Sequence, residues 1–345
     1  MKNILVTGGA GFIGSAFVRY MIEKHPEYNI IVYDKLTYAG NLDNLVEVSD
    51  EPNYRFEQGD IAHRETVRRM LSAHEIDTVV NFAAESHVDR SILNPDAFIH
   101  SNTAGVHVLL DESRQHGIGR FLHVSTDEVY GDIEPGHFSK EDDKFAPNSP
   151  YAASKAGGEL LVRAYHITHK MDTVITRGSN TFGPYQYPEK IIPFFVTEAI
   201  DDKPLPLYGD GMQVRDWLYV DDHAMGIAAA LFHGKSGEAY NIAGEHHEHN
   251  IHVTHRILEL LGKPKSLIKH VPDREGHDLR YAMNSDKLRA LGWERQYTFD
   301  SALETTVRWF QENEWWWRKI KTGEYLEYYK QQYAARLAAA HDSAN

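Results

Sequence analysis

The sequence contains no cysteine among its 345 residues. That excludes disulfides and thiol catalysis, and it is compatible with a reducing cytoplasm. Long apolar runs are missing too. Nothing approaches the ~20 consecutive apolar residues of a membrane span. The first apolar run is only Ile4-Leu5-Val6, so neither a spanning helix nor a secretory leader is expected. Positive charge is in deficit: 36 Lys and Arg stand against 50 Asp and Glu, a formal net charge of −14. That argues against a general nucleic-acid surface, which needs a basic patch to displace counterions. A small anion held by a few local cations and N–H groups is not excluded. The apolar fraction of 42% and charged fraction of 25% are those of an ordinary globular protein. The length allows two domains or one large α/β unit with a lobe.

What is present is strand–helix alternation. Asn3-Ile4-Leu5-Val6-Thr7 reads as a buried strand. It runs into Gly8-Gly9-Ala10-Gly11-Phe12-Ile13-Gly14, and a helical pattern follows from Ser15 to Lys24. Glycines let that turn approach a pyrophosphate seated at the positive end of the helix. A second strand, Ile30-Ile31-Val32-Tyr33, ends at Asp34. An acid about 20 residues past the glycines bonds ribose hydroxyls and repels a 2′-phosphate, so NAD rather than NADP is expected. The competing reading, a βαβ turn without a ligand and Asp34 as a helix cap, requires three coupled features to coincide. Strands expected at 54–58, 78–82, 121–125 and 173–176 extend a Rossmann-type, doubly wound parallel sheet. Asp60 and Ile61 lie at one strand end, where they frame an adenine. Phe82, Ala83 and Ala84 lie at another, where small residues suit close passage of a dinucleotide.

One stretch does not belong to an ordinary dehydrogenase. Ser125-Thr126-Asp127-Glu128-Val129-Tyr130 puts two adjacent acids at the tip of a strand. Tyr151 and Lys155 follow on a helix expected through about His169, and the i, i+4 spacing brings them to one face. A nearby ammonium favours the phenolate, so Lys155 is expected to lower the pKa of Tyr151. The bland readings are a solvated acidic turn and a surface Tyr–Lys pair. The dinucleotide loop weighs against both. Proline-rich, aromatic loops from Arg177 onward mark a domain transition. The expected division is an NAD-binding domain over 1–176 with returning segments near 212–237, a smaller α/β lobe over 177–330, and a tail over 331–345.

Gly8–Gly14, Asp34–Asn41, Ala83–Ser91, Ser125–Tyr130, Tyr151–Lys155 and Gly183–Lys190 together resemble the extended short-chain dehydrogenase/reductase superfamily. More narrowly, they resemble its dTDP-glucose 4,6-dehydratase family. The resemblance runs from Met1 to about Trp317. The glycine loop and Tyr-x-x-x-Lys are shared across the superfamily, whereas Thr126-Asp127-Glu128 discriminates, because sugar epimerases usually lack the acid pair. The resemblance implies a redox-neutral dehydration of dTDP-glucose to a 4-keto-6-deoxy sugar on bound NAD. Tyr151 would take the 4-hydroxyl proton as C4 gives up hydride, and Lys155 would hold the nicotinamide ribose. Glu128 would act as base at C5, Asp127 as acid on the departing 6-hydroxyl, and Thr126 would bond the 4-oxygen. Asp127 must then be protonated near neutrality.

By the same resemblance Lys35, Leu36, Thr37, Ser86, Ser101 and Thr181 join the cofactor set. Ser86 and Asn180 fall near the sugar. Glu189, Lys190, Arg215, Asn250, Arg274, His277 and Tyr281 fall near the diphosphate and nucleotide. A homodimer formed through two helices per subunit is implied as well. Ser101, Thr181, the Gly178–Phe182 run and Glu275 depart from the family pattern. Ser101 keeps a hydroxyl, so cofactor binding is expected to survive; Thr181 and Glu275 leave open whether dTDP or UDP is preferred. A nucleotide-sugar 4-epimerase and a non-catalytic NAD-binding regulator remain alternative readings. His246-His247-Glu248-His249 lacks the spacing of a helical metal site and reads as a hydrated loop, so no metal is expected. Trp315-Trp316-Trp317 reads as packing against the body of the fold.

Overall fold

The computed structural model describes residues 1–273, 278–334, 336 and 337. The described strands are β1 (Asn3–Thr7), β2 (Asn29–Asp34), β3 (Tyr54–Gln58), β4 (Thr78–Asn81), β5 (Arg120–Thr126) and β6 (Thr173–Gly178), followed by β7 (Asn180–Phe182), β8 (Leu205–Tyr208), β9 (Val214–Tyr219), β10 (Ala239–Ile242), β11 (His247–His249) and β12 (Ile268–Val271). Seven of them form one sheet in the order β10-β6-β5-β4-β1-β2-β3, every pair parallel. Helices cover both faces, so the inner strands bury nearly every residue and read as apolar runs rather than alternations. The edge strand β3 alternates in part and is mostly exposed. Strand order reverses between β1 and β4, and ligands of such sheets sit outside the strand tips at that point.

Helix α1 (Phe12–Lys24) follows β1 directly. Gly8 has φ 68 there, and a Cβ on it would lie 2.5 Å from the Ala83 nitrogen, so the tips of β1 and β4 meet only because position 8 carries no side chain. After α2 (Arg64–Ala73) and α3 (Val88–Leu93), a helix holds Ser101, Asn102 and Val106: α4 (Pro95–Ile99) continues through a π turn, His100–Gly105, into α5 (Val106–Gln115). Asn102 in that turn bonds both backbone groups of Glu85 and the hydroxyl of Ser154. It thereby ties the β4 tip to α6 (Pro150–His169). Ser149 caps α6 by accepting from the Ala152 N–H, with Pro150 at its first turn. Among the helices that follow are α7 (Ile191–Ile200) and α8 (Val220–His233).

Several expectations need correction. Within 212–237, α8 packs on α1, but β9 belongs to a small β11-β9-β7 sheet. The strand that rejoins the central sheet is β10, just past that range. His247–His249 is a strand rather than a loop, paired antiparallel to β9, and His246 stacks on Phe299 at 4.2 Å. The expected tail fails at its start: Gln332 and Tyr333 are buried, and the Tyr333 ring stacks on Phe194 at 5.2 Å. Trp316 and Trp317 are buried as expected, while Trp315 stays exposed.

Candidate active site

Thr126 ends β5 and caps the short 3-10 turn Asp127–Tyr130, its hydroxyl accepting from the Glu128 N–H at 3.3 Å. The same hydroxyl donates to Asp127 Oδ1 at 3.1 Å. This geometry carries Asp127 and Glu128 inward. Both are buried, and both line one cavity of ≈ 410 Å³ with Tyr151 and Lys155. A solvated acidic turn is therefore excluded. Burial first, then the Glu128 and Asp216 charges, pushes the Asp127 carboxyl well above the ordinary carboxylate range. Its Oδ2 is buried and accepts no hydrogen bond among the described residues.

Tyr151 behaves differently from the expectation. Burial, with Glu128 adding to it, pushes the phenol up, against a hydrogen bond with the Thr126 side chain. Lys155 is not what governs it. Its ammonium donates to the Val124 carbonyl at 2.7 Å, and burial lowers its pKa to about 8, with Glu159 opposing. The spacing predicted a shared face correctly, but a lysine bonded to β5 does not by itself acidify the phenol.

The cavity continues along the strand tips to the glycine turn. Gly8, Gly11, Phe12, Ile13, Gly14, Asp34, Lys35 and Thr37 line it, as do Asp60, Ile61, Phe82, Ala83, Ala84, Ser86, Ser101 and Thr181. Leu36 does not. It sits at φ 57, packs against the core and gives its N–H to Asp34 Oδ1. A Cβ at Gly14 would lie 2.3 Å from the Gly8 carbonyl oxygen, so this turn closes only with glycine. Asp34 also accepts from the Ala10 N–H, and Lys35 pairs with Asp60 at 2.8 Å.

At the other end Asn180, Glu189, Lys190, Arg215, Asn250 and Tyr281 line the same cavity; Arg274, Glu275 and His277 lie outside the described residues. Arg215 and Asp216 are both buried, which excludes a surface ion pair. Arg215 donates to the Val214 and Asp278 carbonyls and lies 4.4 Å over the Tyr281 ring. Glu189 accepts from Arg90 at 3.0 Å, and Lys190 donates to the Ser86 carbonyl. Sequence reasoning missed Phe194, Pro206, Leu207, Tyr208, His223 and Tyr333, all on the cavity wall. They come from β8, α7, α8 and the C-terminal segment. No local motif distinguishes them from core.

A turn that only glycine closes, a Tyr–Lys pair and a buried acid pair in one cavity define a dinucleotide-dependent enzyme of the short-chain dehydrogenase/reductase class. Comparison with known proteins narrows this. The family described as GDP-mannose 4,6 dehydratase matches residues 5–306, and the chain belongs to that family. A dTDP-glucose 4,6-dehydratase of Actinoplanes sp. is 49% identical over 91% of this chain and 99% of that protein. One from Escherichia coli is 45% identical over 97% and 99%. Among solved structures, the dTDP-glucose 4,6-dehydratase DesIV from Streptomyces venezuelae, with NAD bound, superposes with a TM-score of 0.90 at 48% identity, over 92% of this chain and all of that one. UDP-glucose 4-epimerase of Thermus thermophilus superposes at 0.84 with 29% identity, over 90% and 99%.

Proposed function

We propose that this protein dehydrates dTDP-glucose to dTDP-4-keto-6-deoxyglucose with bound NAD. The observation that carries the reading is the burial of Asp127 and Glu128 on the cavity that Tyr151 and Lys155 also line. An epimerase has no use for that acid pair. The dehydratases at 45–49% identity support the same substrate.

The residues present fit the cofactor. The turn at Gly8 and Gly14 leaves bare backbone where a side chain would stand, and Asp34 offers a buried carboxylate at the end of β2. Bound NAD would supply the hydride acceptor for C4 of the sugar and the hydride donor for C6. The chain supplies the proton traffic. Tyr151 takes the 4-hydroxyl proton, and Thr126 holds the 4-oxygen. The 4-ketone so formed acidifies C5, where Glu128 acts as base. Asp127, kept protonated by burial, gives its proton to the departing 6-hydroxyl. Water leaves, C5 is reprotonated, and the cycle is redox-neutral. Ser86 and Asn180 belong to the sugar in this reading. Glu189, Lys190, Arg215, Asn250 and Tyr281 belong to the diphosphate and nucleotide. Residues 1–176 with the returning α8 and β10 serve the cofactor, and 177–330 mainly serve the nucleotide sugar.

Incubation with dTDP-glucose and NAD, followed by mass spectrometry, tests the reading, with UDP- and other nucleotide-glucose donors as comparison. Loss of one water from dTDP-glucose is expected. An isomer of unchanged mass would replace this reading with the epimerase. The product class supplies deoxysugar synthesis, dTDP-rhamnose included. A cytoplasmic setting is part of the proposal, supported by the cysteine-free sequence. So is a homodimer: Ile99 on α4 and Leu160 and Ile167 on α6 are large, apolar and exposed, and the last two lie seven residues apart on one stripe of the helix.

A further inference from the structure

His223 is buried on α8, and the proton traffic above does not use it. Its imidazole fills the space that a side chain at position 178 would need: a Cβ on Gly178 would stand 2.3 Å from its Cε1 and 2.5 Å from its Nε2. Gly178 is the register partner of Thr126, so the ring lies one strand away from the acid pair and on the same cavity. Thr181 Oγ1 stands 3.0 Å from the Ser179 carbonyl, which can only accept, and 2.8 Å from His223 Nδ1. A hydroxyl has one proton, so the tautomer with its hydrogen on Nδ1 satisfies both contacts at once, whereas the other satisfies only one. Burial lowers the imidazole pKa to about 3, so the ring is neutral, and with the hydrogen on Nδ1 its Nε2 is an acceptor. That Nε2 is buried with no hydrogen-bond partner among the described residues, and buried acceptors are seldom left unmet.

We infer that His223 is a specificity residue whose Nε2 accepts a hydrogen bond from the carboxamide NH₂ of the nicotinamide, with Gly178 providing the room and Thr181 holding the acceptor tautomer. The inference rests on the NAD reading. A carboxamide fits because it places an N–H donor beside the ring that must face the acid pair, and the acceptor cannot serve a group without a donor. Dinucleotides are thus distinguished by the amide and not only by the ribose phosphate.

The test is titration of the cofactor-free chain with NAD and with 3-acetylpyridine adenine dinucleotide, which has a methyl where NAD has NH₂. Tryptophan fluorescence reads the affinity. Wild type is expected to favour NAD by about five- to tenfold, the worth of one neutral hydrogen bond. His223→Leu should bind the two within about twofold. Thr181→Val should narrow the preference as well, because the acceptor tautomer is no longer pinned. Equal binding by wild type, or an undiminished preference in His223→Leu, overturns the inference while leaving the cofactor reading intact; no binding of either dinucleotide overturns both. Should the leucine variant fail to fold, ¹⁵N-detected histidine spectra of wild type decide. A His223 protonated on Nδ1, with an Nε2 signal shifted by NAD and not by the analogue, supports the inference. Protonation on Nε2 overturns it.

Discussion

Asp127 and Glu128 are neighbours in sequence, yet the proposed reaction asks them for opposite proton states. The Asp127 carboxyl is pushed up by burial, with Glu128 and Asp216 adding to it. Exchanging both acids for amides, Asp127→Asn with Glu128→Gln, removes acid and base together. Substrate should still reduce bound NAD, seen as reduced-nicotinamide absorbance, while water loss slows by roughly 10²–10⁴-fold; fast dehydration by the double variant would refute the roles. Asp216 carries a second prediction. Its pKa is raised to about 7, mainly by burial, so the native state holds a proton that the unfolded chain releases. Its contribution to stability is fully present below about pH 4 and is lost as pH rises to about 7. Urea unfolding should find Asp216→Asn more stable than wild type near pH 8, the difference shrinking towards pH 4. The acid pair was legible in sequence because its type and place are unusual. The phenol's raised pKa was not, because desolvation depends on what the fold puts around a group.

At the scale of elements, the strands of the central sheet were legible because β-branched and leucine runs buried on both faces admit few other readings. The glycine turn was legible for a similar reason. Gly8 at φ 68, with the Ala83 nitrogen 2.5 Å from any added Cβ, tolerates nothing larger. Gly8→Ala should therefore abolish NAD binding in a fluorescence titration, through both strain and the blocked approach. The π turn at His100–Gly105 and the small β11-β9-β7 sheet were not legible, since each exists only through its partners. Gly158 shows how one such partnership works. A Cβ there would stand 2.3 Å from the Asn102 carbonyl oxygen, so α6 lies against the π turn only because the position is bare. Gly158→Ala should force α6 outward, at a cost of about 1–3 kcal/mol in urea unfolding. Because α6 carries Tyr151 and Lys155, turnover should fall with stability.

Across the whole molecule, the cavity wall includes Tyr333, from the last stretch of chain to be described. Tyr333 reaches it from beyond the span that the family match covers, residues 5–306. It was hidden in the sequence because Glu324–Ala334 mixes aromatics with charged and amide residues and shows no clean apolar stripe. Its order comes from specific contacts instead. The Tyr325 hydroxyl donates to the Pro188 carbonyl, and Gln332 donates to the Tyr208 hydroxyl at 2.9 Å. Arg90 lies between the Tyr38 and Tyr328 rings, 3.9 and 4.3 Å from their centroids, while bonding Glu189. These contacts tie the segment to the end of the cavity assigned above to the nucleotide, far along the chain from the glycine turn that serves the cofactor. Tyr333→Ala should therefore raise KM for the nucleotide sugar by about three- to tenfold, the worth of one aromatic contact, with kcat and NAD affinity unchanged. Steady-state kinetics beside a cofactor titration make the check. A fall in kcat at constant KM would place Tyr333 with the reacting atoms instead, and a parallel loss of NAD affinity would mean that the segment supports the whole fold rather than one end of its cavity.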